Sequence, residues 1–277
     1  MKRYLRYIFL MLTACFLVTG CEKEISWQVE DNGVQNIVVE GTITSEYKTQ
    51  VIIISNTTEN PNEVPAPVSD AEVIVSSSDS VYLFREDPLR DGFYISEKEF
   101  AGMPGNEYTL FISTGGKIIS GKASMDPVSD FLFLSYGYHG SENLLKIRWV
   151  AEPYSPSEPA MYEILLDWSA VPGYTDLPAG STSARLLYYT LPTLDVSQLF
   201  APQIEQVLFP PGTIITERKY SLTAEHAAYI RAMLAETNLQ GGLFNSVPAN
   251  LPLNLSSNAL GYFSACDVLE KTVVTIP

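Results

Sequence analysis

Residues 37–43 read Ile-Val-Val-Glu-Gly-Thr-Ile, and residues 71–75 read Ala-Glu-Val-Ile-Val. Both stretches are rich in β-branched residues, which favour strands, and residues 71–75 are interpreted as having the two-residue period of a half-buried β-strand. Similar short runs recur up to residue 120, separated by turn-forming residues such as Gly115-Gly116. About seven strands within about 90 residues predict a small antiparallel β-sandwich, Ig-like or transthyretin-like, over residues 36–124.

Residues 125–277 are also rich in strand patterns and predict a second antiparallel sandwich. The apolar runs 144–150 and 161–168 are typical of facing strands of this domain. One segment differs, because residues 224–238 place apolar side chains on a single helical face and follow a suitable N-cap, Thr223. We therefore expect a mainly β chain of two antiparallel β-sandwich domains, with one helix that packs on the second sandwich.

The N-terminus has the layout of a secretory signal peptide. A basic start precedes residues 7–18, an apolar run that is short for a membrane span. Leu17-Val18-Thr19-Gly20-Cys21 follows and resembles a lipobox, in which a peptidase cuts before a cysteine that carries lipid. We expect residues 1–20 to be removed, Cys21 to be acylated, and residues 21–35 to form a polar tether. The alternative is an uncleaved anchor helix with an ordinary buried cysteine.

The chain is strongly acidic, with 32 Asp and Glu against 17 Lys and Arg and a formal charge of -15. Loss of Lys2, Arg3 and Arg6 with the signal peptide takes that charge to -18. A chain of this charge repels phosphate backbones, and no basic cluster is present, so we expect no nucleic acid partner. No Asp-rich loop has the spacing of a calcium site, and we interpret the acidity as a solubility feature of a surface protein.

No catalytic or metal-binding pattern stands out. The two histidines are His139, in a turn-like Tyr-Gly-Tyr-His-Gly segment, and His226, in the first turn of the predicted helix. No motif brings either histidine to the partners that a zinc site or a Ser-His-Asp triad needs. Cys266 lies in an apolar run and is interpreted as a buried hydrophobic side chain. We therefore predict that the protein is not an enzyme and uses no metal or cofactor.

Aromatic side chains are the candidate binding residues. The second domain is rich in tyrosines that we place largely in or beside loops: Tyr136, Tyr138, Tyr154, Tyr174, Tyr188 and Tyr189. Exposed aromatic residues bind sugars, peptides and proteins well, but the same side chains could instead cover the core. For Trp149 and Trp168, on predicted strands, we favour the core.

A short motif around Ser80 indicates a further candidate, for modification. Asp79-Ser80-Val81 resembles the O-glycosylation sequon of the Bacteroidetes, and Ser80 is predicted to lie in a turn. The alternative is a plain turn without a sugar.

Several short motifs resemble, in order, a lipoprotein family of the Bacteroidetes. After the lipobox they are Val38-Val39-Glu40-Gly41, residues 68–73, Gly92-Phe93-Tyr94, residues 104–110, Gly242-Leu243-Phe244 and residues 261–265. On these motifs the mature chain is similar to the domain-of-unknown-function 4249 family. Residues 38–122 are also similar to carboxypeptidase-regulatory-like sandwich domains. The resemblance implies no reaction, but it implies a partner, because genes of this family commonly sit beside TonB-dependent outer-membrane receptors.

These inferences predict an accessory lipoprotein of the outer membrane that assists a TonB-dependent transporter in nutrient uptake. Glu22-Lys23-Glu24, which follows Cys21, is similar to signals that send Bacteroidetes lipoproteins to the cell surface, and the periplasmic face is the alternative location. The alternative function is a structural or adhesive surface protein in which the first sandwich is a spacer. Aromatic loops that converge on one concave patch would favour capture, and a flat polar surface would favour the structural role.

Overall fold

The computed structural model describes residues 36–58, 62–140, 143–152, 154–192, 207–238, 251–256 and 259–276. Residues Gln35–Pro277 form one compact unit. The predicted signal peptide, the predicted acylation site Cys21, the predicted tether and the motif Gly242-Leu243-Phe244 lie outside the described residues. Over these described residues, the prediction of a mainly β fold with antiparallel sandwich packing and one α-helix is confirmed.

The strands in chain order are β1 (Ile37–Thr44), β2 (Val51–Asn56), β3 (Glu72–Ser76), β4 (Val81–Asp87), β5 (Arg90–Ser96), β6 (Glu107–Thr114), β7 (Lys117–Ser124), β8 (Ser135–Tyr138), β9 (Leu145–Trp149), β10 (Ala160–Asp167), β11 (Ser183–Thr190), β12 (Ile214–Ser221), β13 (Leu260–Cys266) and β14 (Val268–Val274). The α-helix α1 spans Ala224–Asn238, and a short 3-10 helix spans Ala179–Ser181.

Eight strands form the first sheet, in the order β13-β1-β2-β5-β4-β3-β6-β7. Their alternating apolar side chains bury one core, which includes Val39, Ile52, Tyr94 and Leu110. Neighbouring strands are antiparallel except β1 and β13, which run parallel. Residues 260–266, predicted as part of the C-terminal domain, therefore belong to the first sheet, where burial of Phe263 favours this pairing.

A short segment, residues 251–256, joins the two edge strands of this sheet. The Asn254 Nδ2 donates to the carbonyl of Lys122 on β7 at 2.9 Å and to the carbonyl of Phe263 on β13 at 2.6 Å. The backbone N–H of Phe263 donates in turn to Asn254 Oδ1 at 3.1 Å. One asparagine side chain thus satisfies backbone groups of both edges, and the sheet curls into a near-barrel.

We expect Asn254→Ala to lower the free energy of unfolding by about 2–4 kcal/mol, because three hydrogen bonds are lost and edge backbone groups lose their partners. Urea unfolding followed by circular dichroism measures the change. The control is Asn143→Ala, at an exposed position before β9, which we expect to change stability by less than about 0.5 kcal/mol. Equal effects of the two substitutions would contradict the role of Asn254 in joining the edge strands β7 and β13.

The second part of the chain contains a four-stranded antiparallel sheet, β11-β10-β12-β14, and the hairpin β8-β9. Ile147 of β9 and Ile164 of β10 share one core between these two sheets, so the predicted facing strands do pack together. Strand β13 comes from the second part of the chain but belongs to the first sheet, and residues 35–277 form one compact unit. The division into two domains at residue 125 stays a prediction.

The helix α1 matches its predicted span. Thr223 Oγ1 accepts a hydrogen bond from the backbone N–H of His226 at 3.2 Å, as expected of an N-cap. Ala227 and Ile230 pack with Tyr220 of β12, on the face of the second sheet opposite the hairpin. The helix also covers the outer face of β13, where Tyr262 stacks on rings of α1. It therefore contacts both sheets rather than the second sandwich alone.

Ion pairs add a second connection between the two sheets. The guanidinium of Arg218, on β12, lies 2.7 Å from Glu270 of β14 and 3.5 Å from Glu46, in the turn after β1. Glu163 of β10 lies 3.6 Å from the same guanidinium. Arg218 is thus the centre of a charged network that holds the β1–β2 turn against the second sheet.

Candidate functional site

The six predicted tyrosines do not converge on one patch. Tyr136 and Tyr138 lie on β8, and Tyr188 and Tyr189 lie on β11, so four of them lie in strands rather than in loops. Tyr188 packs with the hairpin core while Tyr189 packs on the helix side, because successive strand residues face opposite ways. Tyr136 and Tyr174 also pack against the hairpin core. Only Tyr138 and Tyr154, which are 40% and 38% exposed, resemble binding residues among the six.

Trp168 is buried, as predicted, but the assignment of Trp149 to the core is wrong. Trp149 is 37% exposed, and its neighbour Val150 is buried instead. The cause is a β-bulge: Trp149 pairs with Ser135, whereas Ile147 pairs with Tyr136, so the pairing register shifts at the end of β9. Because of this shift, Val150 faces the core in place of Trp149, whereas strict alternation along β9 would have buried Trp149.

Trp149 lines an open cleft of about 200 Å³, which we call the Trp149 cleft. Its walls come from the end of β9, from the second sheet and from the segment that leads into β8. The residues that define it are Leu132, Trp149, Glu158, Tyr162, Thr190 and Lys219. Leu132 is 78% exposed, so the cleft presents apolar surface to solvent beside the indole of Trp149.

The segment 126–134, called the connecting segment, passes over the second sheet between β7 and β8 without joining a strand ladder. Charged side chains of β12 and β14 hold its backbone. Lys271 Nζ donates to the carbonyl of Phe131 at 2.6 Å, and Glu217 Oε2 accepts from the backbone N–H of Leu134 at 3.1 Å. These bonds fix one wall of the Trp149 cleft to a rigid sheet.

Lys219 supplies a buried positive group to the cleft. The side chain is only 5% exposed, and Nζ donates to the backbone carbonyl and to Oγ of Ser129, at 3.0 and 2.8 Å. Burial lowers the pKa of Lys219, while the carboxylates of Glu158 and Asp130 oppose that shift. An ammonium has three N–H donors, and Ser129 takes two of them among the described residues.

Acidic groups surround the same cleft. The Ser129 hydroxyl donates to Glu158 Oε2 at 2.9 Å, and the backbone N–H of Glu158 donates to Ser155 Oγ at 3.2 Å. A hydrogen bond from Lys271 lowers the pKa of Asp130, whose carboxylate is therefore ionised at neutral pH. The cleft thus combines an aromatic wall with a buried donor and a rim of acceptors.

Glu217 is the most perturbed carboxyl group near this site. It is fully buried, and its second oxygen, Oε1, has no hydrogen-bond partner among the described residues. Burial raises the pKa of Glu217 to about 7, against the opposing effects of the bond from Leu134 and the charge of Lys271. Its charge state therefore changes within the physiological pH range, next to the backbone of the connecting segment.

The remaining candidate groups do not form a reactive pair. His226 Nδ1 lies 4.0 Å from Cys266 Sγ, and burial lowers the pKa of His226 to about 4 and raises that of Cys266 to about 12. Both groups are neutral at pH 7, so no thiolate forms there. The interpretation of Cys266 as a buried side chain is confirmed. His139 lies in the turn that follows β8, away from this pair.

Ser80 is exposed in the turn between β3 and β4, where the backbone N–H of Ser77 donates to its carbonyl at 2.8 Å. The predicted turn is confirmed, and its glycosylation stays a prediction. In the part of the chain that the structure describes, no cluster of three or more His, Cys, Asp or Glu side chains could hold a metal ion. No helix within the same residues is long and apolar enough to cross a bilayer.

Comparison with known proteins gives a family rather than a function. Among solved structures, the fibronectin domains FN1–FN3 of chicken CNTN1 are similar at a TM-score of 0.27 and 12% identity, over 68% of this chain and 62% of that chain. This chain therefore spans less than two thirds of that structure. No curated protein matches the chain. The profile of a domain of unknown function, DUF4249, matches residues 22–272. The chain belongs to the DUF4249 family.

Proposed function

We propose that the protein is an outer-membrane lipoprotein that captures a nutrient for a TonB-dependent transporter. The observation that carries the proposal is the Trp149 cleft, in which an exposed indole and a buried ammonium are held on rigid strands. Binding sites commonly combine apolar or aromatic walls with a few fixed polar groups, as this cleft does. The lipobox before Cys21 supports attachment to the membrane, and the resemblance to a family whose genes commonly sit beside TonB-dependent receptors supports the transporter as partner.

A second candidate function, adhesion or structural contact at the cell surface, is favoured by a different surface. On the outer face of the first sheet, Ile74 pairs with both Leu83 and Phe111, and the last two are exposed. Val81, two residues before Leu83 on β4, and Ile118 on β7 are also exposed. Contiguous exposed apolar side chains often mark a protein contact, which a spacer or adhesin would use.

Attachment and membrane face are tested in intact cells treated with a protease that cannot cross the outer membrane. We expect the protein to be cleaved and to fractionate with membranes, because several acyl chains at Cys21 hold a lipoprotein at the bilayer. The matched variant Cys21→Ser is expected to leave the membrane fraction. Membrane retention of Cys21→Ser would contradict the lipid anchor, and full protection of the unaltered protein would contradict the surface location.

A further inference from the structure

We propose that the Trp149 cleft binds one ring of a neutral oligosaccharide. This inference rests on the proposed capture function and names the class of its ligand. Among the described residues, the cleft joins an exposed indole to a buried donor and several acceptors. Sugar rings match such a site, because their C–H faces pack on aromatic rings while their hydroxyl groups both donate and accept hydrogen bonds.

The charges of the cleft disfavour the other ligand classes. An anionic ligand would meet the carboxylates of Asp130, Glu152 and Glu158, all of which line the cleft. A cationic ligand would meet the ammonium of Lys219, while two of the three carboxylates already accept hydrogen bonds, Asp130 from Lys271 and Glu158 from Ser129. A purely apolar ligand would cover Lys219 and leave its remaining N–H without water or a partner, which is costly. A neutral ligand with many hydroxyl groups can satisfy both kinds of charged group.

The size of the cleft indicates how much of the ligand it holds. Its volume of about 200 Å³ is smaller than the roughly 300–1,000 Å³ of sites that enclose a drug-sized molecule. The cleft therefore fits one ring, and the rest of an oligosaccharide extends over exposed surface.

The polar groups of the cleft are fixed before the ligand arrives. Ser129 holds Lys219 and also donates to Glu158, so the donor and one acceptor keep a set separation. Thr190 Oγ1 donates to the carbonyl of Glu152 at 2.7 Å and fixes the loop that follows β9. Such preorganisation reduces the entropy cost of binding a flexible glycan.

The test measures binding of the purified lipoprotein in mild detergent to a defined set of probes. The neutral probes are hexamers of glucose in cellulose and starch linkages, of mannose, of xylose and of N-acetylglucosamine. The charged probes are hexagalacturonate and the deacetylated glucosamine hexamer, and casein peptides represent protein ligands. We expect at least one neutral probe to bind, and Trp149→Ala to weaken that binding at least about tenfold.

Two further variants keep the test decisive. Trp149→Phe retains a ring and is expected to bind within about threefold of the unaltered protein, even if Trp149→Ala folds poorly. Tyr47→Ala removes an exposed aromatic residue outside the cleft and is expected to leave binding unchanged. Circular dichroism checks the fold of each variant.

The proposal is overturned if none of the probes binds, if only charged probes or peptides bind, or if Trp149→Ala binds as tightly as the unaltered protein. A peptide whose binding depends on Trp149 would end the sugar assignment and leave the capture function standing. Failure of the capture function itself would appear separately, as a lipoprotein that associates with no transporter.

Discussion

Gly261→Ala is expected to lower the free energy of unfolding by about 4 kcal/mol or more, which is in the range of the most damaging single substitutions. Gly261 has a φ of +90°, a conformation that L side chains rarely adopt. A Cβ atom there would lie 2.1 Å from the backbone carbonyl oxygen of Val39. Because that oxygen belongs to the paired strand β1, it cannot move aside without breaking the parallel ladder that places Phe263 in the core.

The matched control for this substitution is Gly105→Ala. Gly105 has a φ of +89°, and no atom lies within 4 Å of a Cβ built on it. We expect Gly105→Ala to lower the free energy of unfolding by about 1–2 kcal/mol, because it introduces backbone strain but no clash. Urea unfolding of both variants, followed by circular dichroism, separates the two contributions. Equal losses at the two positions would contradict the close approach of β13 to β1.

Glu217→Gln is expected to gain stability over the unaltered protein as the pH rises from 4 to 8. Burial raises the pKa of Glu217 from 4.5 to about 7 in the folded state. A carboxyl group with a raised pKa binds its proton more tightly in the folded protein than in the unfolded chain. The favourable contribution of protonated Glu217 to the free energy of unfolding is complete below pH 4.5 and is lost as the pH rises to about 7. The gap between the two pKa values corresponds to about 3 kcal/mol.

The measurement compares the unfolding free energy of Glu217→Gln with that of the unaltered protein at several pH values. Taking the difference removes the contribution of the other titrating groups. Asn143→Ala, at an exposed position without a titrating side chain, is the control, and its difference from the unaltered protein should stay constant across the range. If the difference for Glu217→Gln were also constant, this result would contradict the raised pKa of the buried Glu217 carboxyl group.

Local pattern was sufficient to predict the first strands and the helix. Residues 37–43 and 71–75 are rich in β-branched residues and alternate in burial, and Thr223 caps the helix that the spacing of apolar residues predicts. The parallel pairing of β1 with β13 could not be predicted in this way. It joins residues more than 200 positions apart, and only the shared core around Phe263 selects it. Strand propensity alone does not identify the partner of a strand.

The candidate site was harder to predict than the fold. The bulge that exposes Trp149 comes from the pairing of β8 with β9 and leaves no local signal in the sequence. Strand β12 carries charged residues on both faces, with Glu217 and Lys219 inward and Arg218 outward, so its alternation gives no apolar stripe. Charged side chains on an otherwise apolar face were the only available indication of a polar site there.

The transporter partnership is tested most directly by gentle purification of the lipoprotein from native membranes, followed by mass spectrometry of the proteins that accompany it. We predict that a TonB-dependent outer-membrane receptor accompanies the unaltered protein in comparable amount and remains with the Trp149→Ala variant, whose change is confined to the cleft. A lipoprotein that purifies without any receptor, at detergent concentrations that preserve other outer-membrane complexes, would contradict the account.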